Sequence, residues 1–578
     1  MFQKKDIVLL FLSLVLSGTA SAGGSPSKEP KPTEVPQAAD VIIAMPSEEI
    51  ELANMPGHLP PAEIVTPQAE TPANADSSSA FKQTCKHWYN FSKSIINVTE
   101  LVYPMTAKRA AYWTLYAGIG TGAYFLDHYY NISQYIVEGI SANNLVVMGV
   151  VYATEPLITC INLVFSKYPD AITPVDIESR IFPTPGAEEV ALVIPCHNSE
   201  HKIAKTIQAA LKHLRPEQIF LVDNGNSEQP PDKTKEVAHS INPAINYIWL
   251  PMGGSKNTPQ YAGAIAAKQL NYKFVLTTDD DVTIPETFNF GTERVKDHVK
   301  GVCYPVRGIP ETQNPGLWAK LLVEWQDIEY QNSDMGKLVE DAAGGVLYPH
   351  GAASLWDTDT LIAALRRHDL VFYSEDMKLG LALQELKGSM VMVADCALDT
   401  DAPENFPDFY KQRVRSWEMS RYMYFWKRAL NIFKKGPPRP IVGQIYTRGI
   451  QALDCVNTLA DIARVPIVIV MAGQSNFWIR LGAFSALPIV PNLVRNNFKC
   501  DHRPDLQNSA FALMTLPVYK ILSTAVTLLA LPKALFCVLP GAEHQPTILE
   551  MEAKKDPRCV WMQFNNLEEN AAPETLPQ

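Results

Sequence analysis

The chain has 578 residues, more than one ordinary domain, and its 47% hydrophobic against 19% charged residues points to membrane segments beside a globular core. A formal net charge of −11 argues against wrapping nucleic acid. Nine cysteines stand singly, with no C-x-x-C pair and no zinc spacing, so neither a disulfide framework nor a structural metal site is indicated.

At the N-terminus, Lys4 and Lys5, the apolar IVLLFLSLVLSG and the small-residue TASAGG have the three parts of a secretory signal or signal anchor over 1–22. Residues 23–79, rich in Pro, Ser, Ala and Glu, bury too little apolar surface to fold and read as a disordered linker. Within 80–168, a membrane-associated segment, the runs 110–126 and 145–165 each approach bilayer length. Lys108 and Arg109 precede the first and Lys167 follows the second, so charge bias predicts a hairpin with both outer ends cytosolic. A translocated signal predicts the opposite side for residue 170 onward. One of the three apolar segments is therefore expected not to span, and Glu155-Pro156 makes 145–165 the weaker of the hairpin pair.

From 170 to 435 short apolar runs alternate with amphipathic helical stretches. EVALVIPCHNSE reads as a strand ending in a polar loop, HKIAKTIQAALKHL as a helix with Ile203, Ile207, Ala210 and Leu211 on one face, and QIFLVDNGNSE as a strand ending at Asp223. This order predicts a parallel α/β sheet, whose ligands bind beyond the carboxyl ends of the strands. FVLTT delivers Asp279, Asp280 and Asp281 to that same edge, where adjacent like charges call for a cation or a hydrogen-bonding ligand. After 435, apolar runs broken by Pro, Lys520 and Lys533 suit interfacial and transmembrane helices over 436–540, with polar positions inside the bundle. Residues 541–578 are polar and read as a disordered tail.

In order, VIPCHNSE, LVDNGNS, DDD, YSEDMKLGLALQ and YKQRVRSW resemble the motifs of the membrane-bound family 2 glycosyltransferases, the synthases of hyaluronan, chitin and cellulose. The resemblance spans about 250 residues with membrane segments on both sides. It implies a glycosyltransferase-A type nucleotide-sugar-binding domain, and an inverting, metal-dependent transfer from a UDP-sugar to a growing β-linked polysaccharide. The alternatives are single addition to a lipid acceptor and a catalytically silent membrane scaffold.

The resemblance also implies roles. Asp279 and Asp281 would hold Mg²⁺ or Mn²⁺, Asp223 would accept hydrogen bonds from uracil, and Asp376 would be the general base, its pKa raised by Glu375. His197, Lys256, Asp279 and Arg415 would serve the donor; Gly351, Gln412 and Trp417 would serve the acceptor. Asp280 is expected to be a solvent-facing spacer. Bland readings stand beside these: Ser374, Glu375 and Asp376 suit a helix N-cap and acidic first turn, Lys256 an exposed loop, and QRVRSW a basic helix anchored by Trp417. The last motif also departs from Q-x-x-R-W, because Ser416 takes the i+4 place; a π-bulge there would return Trp417 to the Gln412 face. The expected surroundings are a bilayer and a cytosol-facing catalytic domain, since nucleotide sugars are made in the cytosol.

Overall fold

The computed structural model describes residues 107–130, 134, 138–139, 144–170, 186–225, 227–252, 255–368, 375–414, 418–434, 436–472, 476–538 and 546–562. The signal and linker expected over 1–79 lie outside the described residues, as do Arg415, Ser416 and Trp417.

Ten strands build the domain: β1 Val190–Cys196, β2 Ile219–Asn224, β3 Asn246–Leu250, β4 Phe274–Thr278, β5 Val282–Thr283, β6 Val299–Cys303, β7 Val306–Pro310, β8 Ala353–Asp357, β9 Ser389–Met392 and β10 Leu398–Ala402. Seven form one sheet in the order β3-β2-β1-β4-β8-β6-β9, and β5-β10-β7 form a second. β1 is buried along its whole length, as a continuous apolar run must be when both faces of a strand are covered. Strands β3, β2, β1 and β4 run parallel, as the alternation of strand and helix predicts, so their carboxyl ends share one edge. β8 runs antiparallel to both β4 and β6, and makes the sheet mixed. Its reversal has a functional consequence: the loop before β8 arrives at the same edge, where the Asp279 amide donates to Ala352 O at 2.9 Å.

Apolar residues fill both faces. Val193, Val222, Ala262 and Trp356 belong to one buried cluster, and Leu192, Ile207, Leu221 and Leu276 to the other. The helix Leu317–Ala342 connects the domain to the helices beyond it: Leu321, Leu322 and Trp325 pack in one cluster with Phe409, Tyr410, Leu516, Tyr519, Ala530 and Ala534.

Among the described residues three helical segments are long and apolar enough to cross a membrane: Leu145–Phe165, Phe477–Lys499 and Leu516–Leu535. The run 145–165, expected to be the weaker, is among them, and its Glu155 is paired with Lys520. Further charges are buried and paired among these helices: Asp461 binds Arg421 and also Arg464 at 2.6 Å, and Asp454 binds Arg428. The expected polar interior is present. The helix Ile441–Met471 starts on the domain, where Gly443 lies so close to the Ala343 carbonyl that a Cβ would overlap it. Phe477–Lys499 returns to the domain, with Arg495 donating to Asn332 Oδ1 at 3.4 Å and Asn508 of the following turn donating to Asp327 Oδ2 at 2.8 Å.

The polar tail expected from 541 is corrected over 546–562. There Ile548–Ala553 is a helix, and Ile548, Met551, Val560 and Trp561 are buried against the first sheet's helical layer. Its polar composition hid a few apolar residues at the spacing docking requires. Among the described residues no cysteine is in a disulfide, and those cysteines are buried except Cys160.

Candidate active site

Polar residues follow β1 and close β2 and β4. After β1 comes the turn His197–Ser199, with Asn198 in the left-handed region at φ 56°. His197 is exposed, and its Nδ1 donates to Asn224 O across the strand ends. Ser199 Oγ donates to Asp280, and Thr206 Oγ1 donates to Asp280 O at 2.8 Å. The expected spacer role of Asp280 is thereby corrected: it is half-buried and ties the acidic triplet to the β1 turn.

Asp223, last but one in β2, is fully buried, and Tyr247 OH donates to its Oδ2 at 2.8 Å. Its Oδ1 is buried with no hydrogen-bond partner among the described residues. Burial pushes the Asp223 carboxyl up to about 6, against the lowering effect of Tyr247.

β4 delivers the triplet. Burial pushes Asp279 up to about 7, with Asp281 adding like-charge repulsion and Lys256 opposing it. Burial and then the neighbouring Asp280 push Asp281 up to about 6, although Thr400 Oγ1 donates to it at 3.2 Å. Thr400 lies on β10 of the second sheet, so the two sheets meet at the triplet.

Lys256, immediately before the helix Asn257–Gln269, is not the exposed loop lysine its context suggests. Its ammonium contacts Asp279, lies 3.4 Å from Glu375 Oε1 and donates to Gly351 O at 2.8 Å. One cation therefore joins the triplet, the loop before β8 and the helix Glu375–Glu385. Asp376 opens that helix beside Glu375. Burial and then Glu375 push it up to about 6, the like-charge effect expected from the sequence. Burial opposes ionisation of Glu375 as well, but Lys256 outweighs it and holds that carboxyl below its ordinary range. Gly351 faces this pair: a Cβ built there would lie 3.4 Å from Asp376 Oδ2, so only a small residue leaves room over the carboxylate.

Gln412 lies in the helix Phe406–Arg413 and hydrogen-bonds Tyr330, which is close enough to Asp281 to feel its charge. Arg413 is engaged elsewhere, paired with Glu329 at 2.7 Å and stacked over Tyr330 and Phe409. Val414 and Glu418, which flank the undescribed 415–417, have π-helical hydrogen bonding.

The structure thus brings His197, Asp223, Lys256, Asp279, Asp281, Gly351 and Asp376 to one edge of the sheet. Sequence reasoning missed Tyr247, Thr400 and the buried pair of His350 with Asp334, each of which holds a site residue or loop. His350 was visible as the first residue of HGAASLW. Nothing local marks Thr400, which is 119 positions from Asp281.

Residues 185–419 match the family model described as "Glycosyltransferase like family 2". That segment is a glycosyltransferase domain like those of family 2, and the chain is a glycosyltransferase. No match to a curated protein was found. Among solved structures, the mannosyltransferase PcManGT from Pyrobaculum calidifontis, in complex with GDP-Man and Mn²⁺, is similar at 13% identity and a TM-score of 0.43, covering 69% of this chain and 99% of that one. TarS 1-349 of S. aureus is similar at 14% identity and 0.31, covering 57% and 91%. Glucosyl-3-phosphoglycerate synthase from Mycobacterium tuberculosis, in complex with Mn²⁺, UDP and phosphoglyceric acid, is similar at 13% and 0.25, covering 41% and 78%. The overlaps are low, and it is the family match that places the segment.

Proposed function

We propose that the chain is an inverting transferase that moves a sugar from a UDP-sugar onto a growing β-linked polysaccharide at a membrane. The observation that supports it best is the Asp279–Lys256–Glu375 chain, which sets the acidic triplet, Gly351 and Asp376 around one cleft.

The unpartnered buried Oδ1 of Asp223 suits an N–H donor of a nucleoside base. His197 sits at the neighbouring strand end, within reach of the same nucleoside. Asp279 and Asp281 supply hard carboxylate oxygens whose charges repel, a donor set that fits Mg²⁺ or Mn²⁺. Among the described residues no third acidic, histidine or cysteine ligand joins them, so the rest of the shell would come from outside that set. A divalent cation held there would neutralise the leaving diphosphate. Lys256 adds a positive charge at the same place, and Arg415 is proposed to do so from the motif helix.

Asp376 takes the proton of the acceptor hydroxyl. The freed oxygen attacks the anomeric carbon from the face opposite the diphosphate, the bond to the diphosphate breaks, and the configuration inverts in one displacement. The acceptor lies over Gly351, with Gln412 as a contact, and Trp417 is proposed as a further one. The catalytic domain faces the cytosol, where the donor is made; protease protection of 186–431 in sealed membranes with cytosolic side out would contradict this.

Membranes containing the chain are to be incubated with a panel of labelled UDP- and GDP-sugars, measuring nucleotide release and product size. A UDP-sugar giving long products supports the reading. Products lengthened by one sugar and extractable into organic solvent would replace it with transfer to a lipid, and absence of turnover would leave a silent scaffold.

A further inference from the structure

The segment after the last apolar helix returns to the catalytic domain and grips two helices whose ends hold the cleft. Trp561 is buried with its ring edge-on to Tyr261, the centroids 5.1 Å apart. Glu552 Oε1 accepts from Tyr261 OH at 2.7 Å and from Trp561 Nε1 at 3.1 Å, while its Oε2 pairs with Arg366 at 3.1 Å. Arg366 Nε also donates to Tyr261 OH at 2.8 Å. Tyr261 lies in the first half of the Asn257–Gln269 helix, and Arg366 is the last residue of the Thr358–Arg366 helix.

One step further in, buried His368 joins the same two elements to the cleft. Asn257 Nδ2 donates to its Nδ1 at 3.1 Å, so its Nε2 carries the proton that is donated to Glu375 O at 3.2 Å. Asn257 follows Lys256, and Glu375 precedes Asp376. The contacts therefore run without a gap from Trp561 and Glu552, through Tyr261 and Arg366, to Asn257 and His368, and end on Lys256 and the Glu375–Asp376 helix start.

We propose that 546–562 is a strap that positions the catalytic groups, with Trp561 and Glu552 as positioning residues that fix Lys256 relative to Asp376. This rests on the roles given above to Lys256 and Asp376. A rigid element with two separately held ends carries displacement from one to the other, and reacting groups tolerate little of it.

The test uses the full chain in membranes. Trp561→Ala is expected to lower kcat by about tenfold or more, with UDP affinity within about threefold, because the strap sets geometry near the base rather than the nucleoside contacts. Trp561→Phe, which still packs on Tyr261, should recover most of that kcat. Tyr261→Phe, breaking the link from the domain side, should lower kcat in the same direction. Amide hydrogen exchange in Trp561→Ala should quicken at 257–260 and 375–380 under conditions where the protein stays folded. An unchanged kcat in Trp561→Ala, or a fall that only matches loss of folded protein without faster local exchange, overturns the strap. Should the wild type turn over no sugar donor, the functional reading fails by itself, and the strap is then judged on the exchange alone.

Discussion

The cleft and the helix bundle both bury charge, and they do it differently. In the bundle acids are paired with bases: Glu155 with Lys520, Asp454 with Arg428, Asp461 with Arg421 and Arg464. In the cleft Asp279 and Glu375 share Lys256, and the pKa values of Asp279, Asp281 and Asp376 rise through burial and repulsion from neighbouring carboxylates. Paired charge satisfies itself and serves structure. Unbalanced carboxylates, costly to keep, mark the place where a cationic or proton-bearing ligand belongs.

That contrast is broken most severely at the triplet. Asp281→Ala should abolish transfer, and added Mg²⁺ or Mn²⁺ should not restore it, because the lost oxygen is part of the site. Recovery at high cation concentration would show that Asp281 is peripheral. Asp376→Asn should keep UDP binding and lower turnover by about 10²-fold or more, since the amide accepts no proton. Loss of donor binding with turnover intact would make it a binding residue.

In the bundle the same kind of change should act on folding and leave chemistry alone. Lys520→Ala strands Glu155 and should cost about 3–5 kcal/mol, while the double change Lys520→Met with Glu155→Leu should be close to neutral. Unfolding in detergent, followed for both variants, separates these outcomes; an equal loss in both would mean that the pair has a role beyond charge balance.

A smaller effect is expected from pH. Asp279 and Asp281 bind protons in the folded chain up to about 7 and about 6, but in the unfolded chain only to roughly 4. The folded state therefore holds more protons across that interval, and its stability falls as pH rises through it. Divalent cation should raise the unfolding temperature more at about pH 7.5 than at about pH 5, where protons already occupy the carboxylates. Equal shifts at both would place the cation elsewhere. Asp280→Ala should have the mildest effect, raising KM a few-fold by freeing the Ser199 turn, and full loss of activity would show that Asp280 touches ligand.

Much of this was legible. β1, β2 and β4 announce themselves as apolar runs followed by polar residues, and the sheet places those ends together, as with Asp223 and Asp279. The direction of β8 was not legible, because antiparallel pairing leaves no mark on five buried residues. The partners of Lys256 were not legible for a similar reason: Gly351 and Glu375 are far along the chain, and only the fold brings them to it. The docked tail did carry a readable sign. Thr547 and Glu550 form a capping box, with Glu550 N donating to Thr547 Oγ1 at 3.2 Å and Thr547 N to Glu550 Oε2 at 2.9 Å, so a helix start was written within a segment judged by its overall polarity.

The docking of that tail has a consequence for sidedness. The Ile441–Met471 helix leaves the domain and Phe477–Lys499 comes back to it, so whatever depth of bilayer the second traverses, the first traverses too, charges included. The chain is then again on the domain's side at Asn508. If Leu516–Leu535 made one more complete passage, residues 546–562 would emerge opposite the domain on which Trp561 is buried. Length and apolarity alone therefore do not give the path of Leu516–Leu535, which packs along Leu321, Trp325, Met419 and Tyr422.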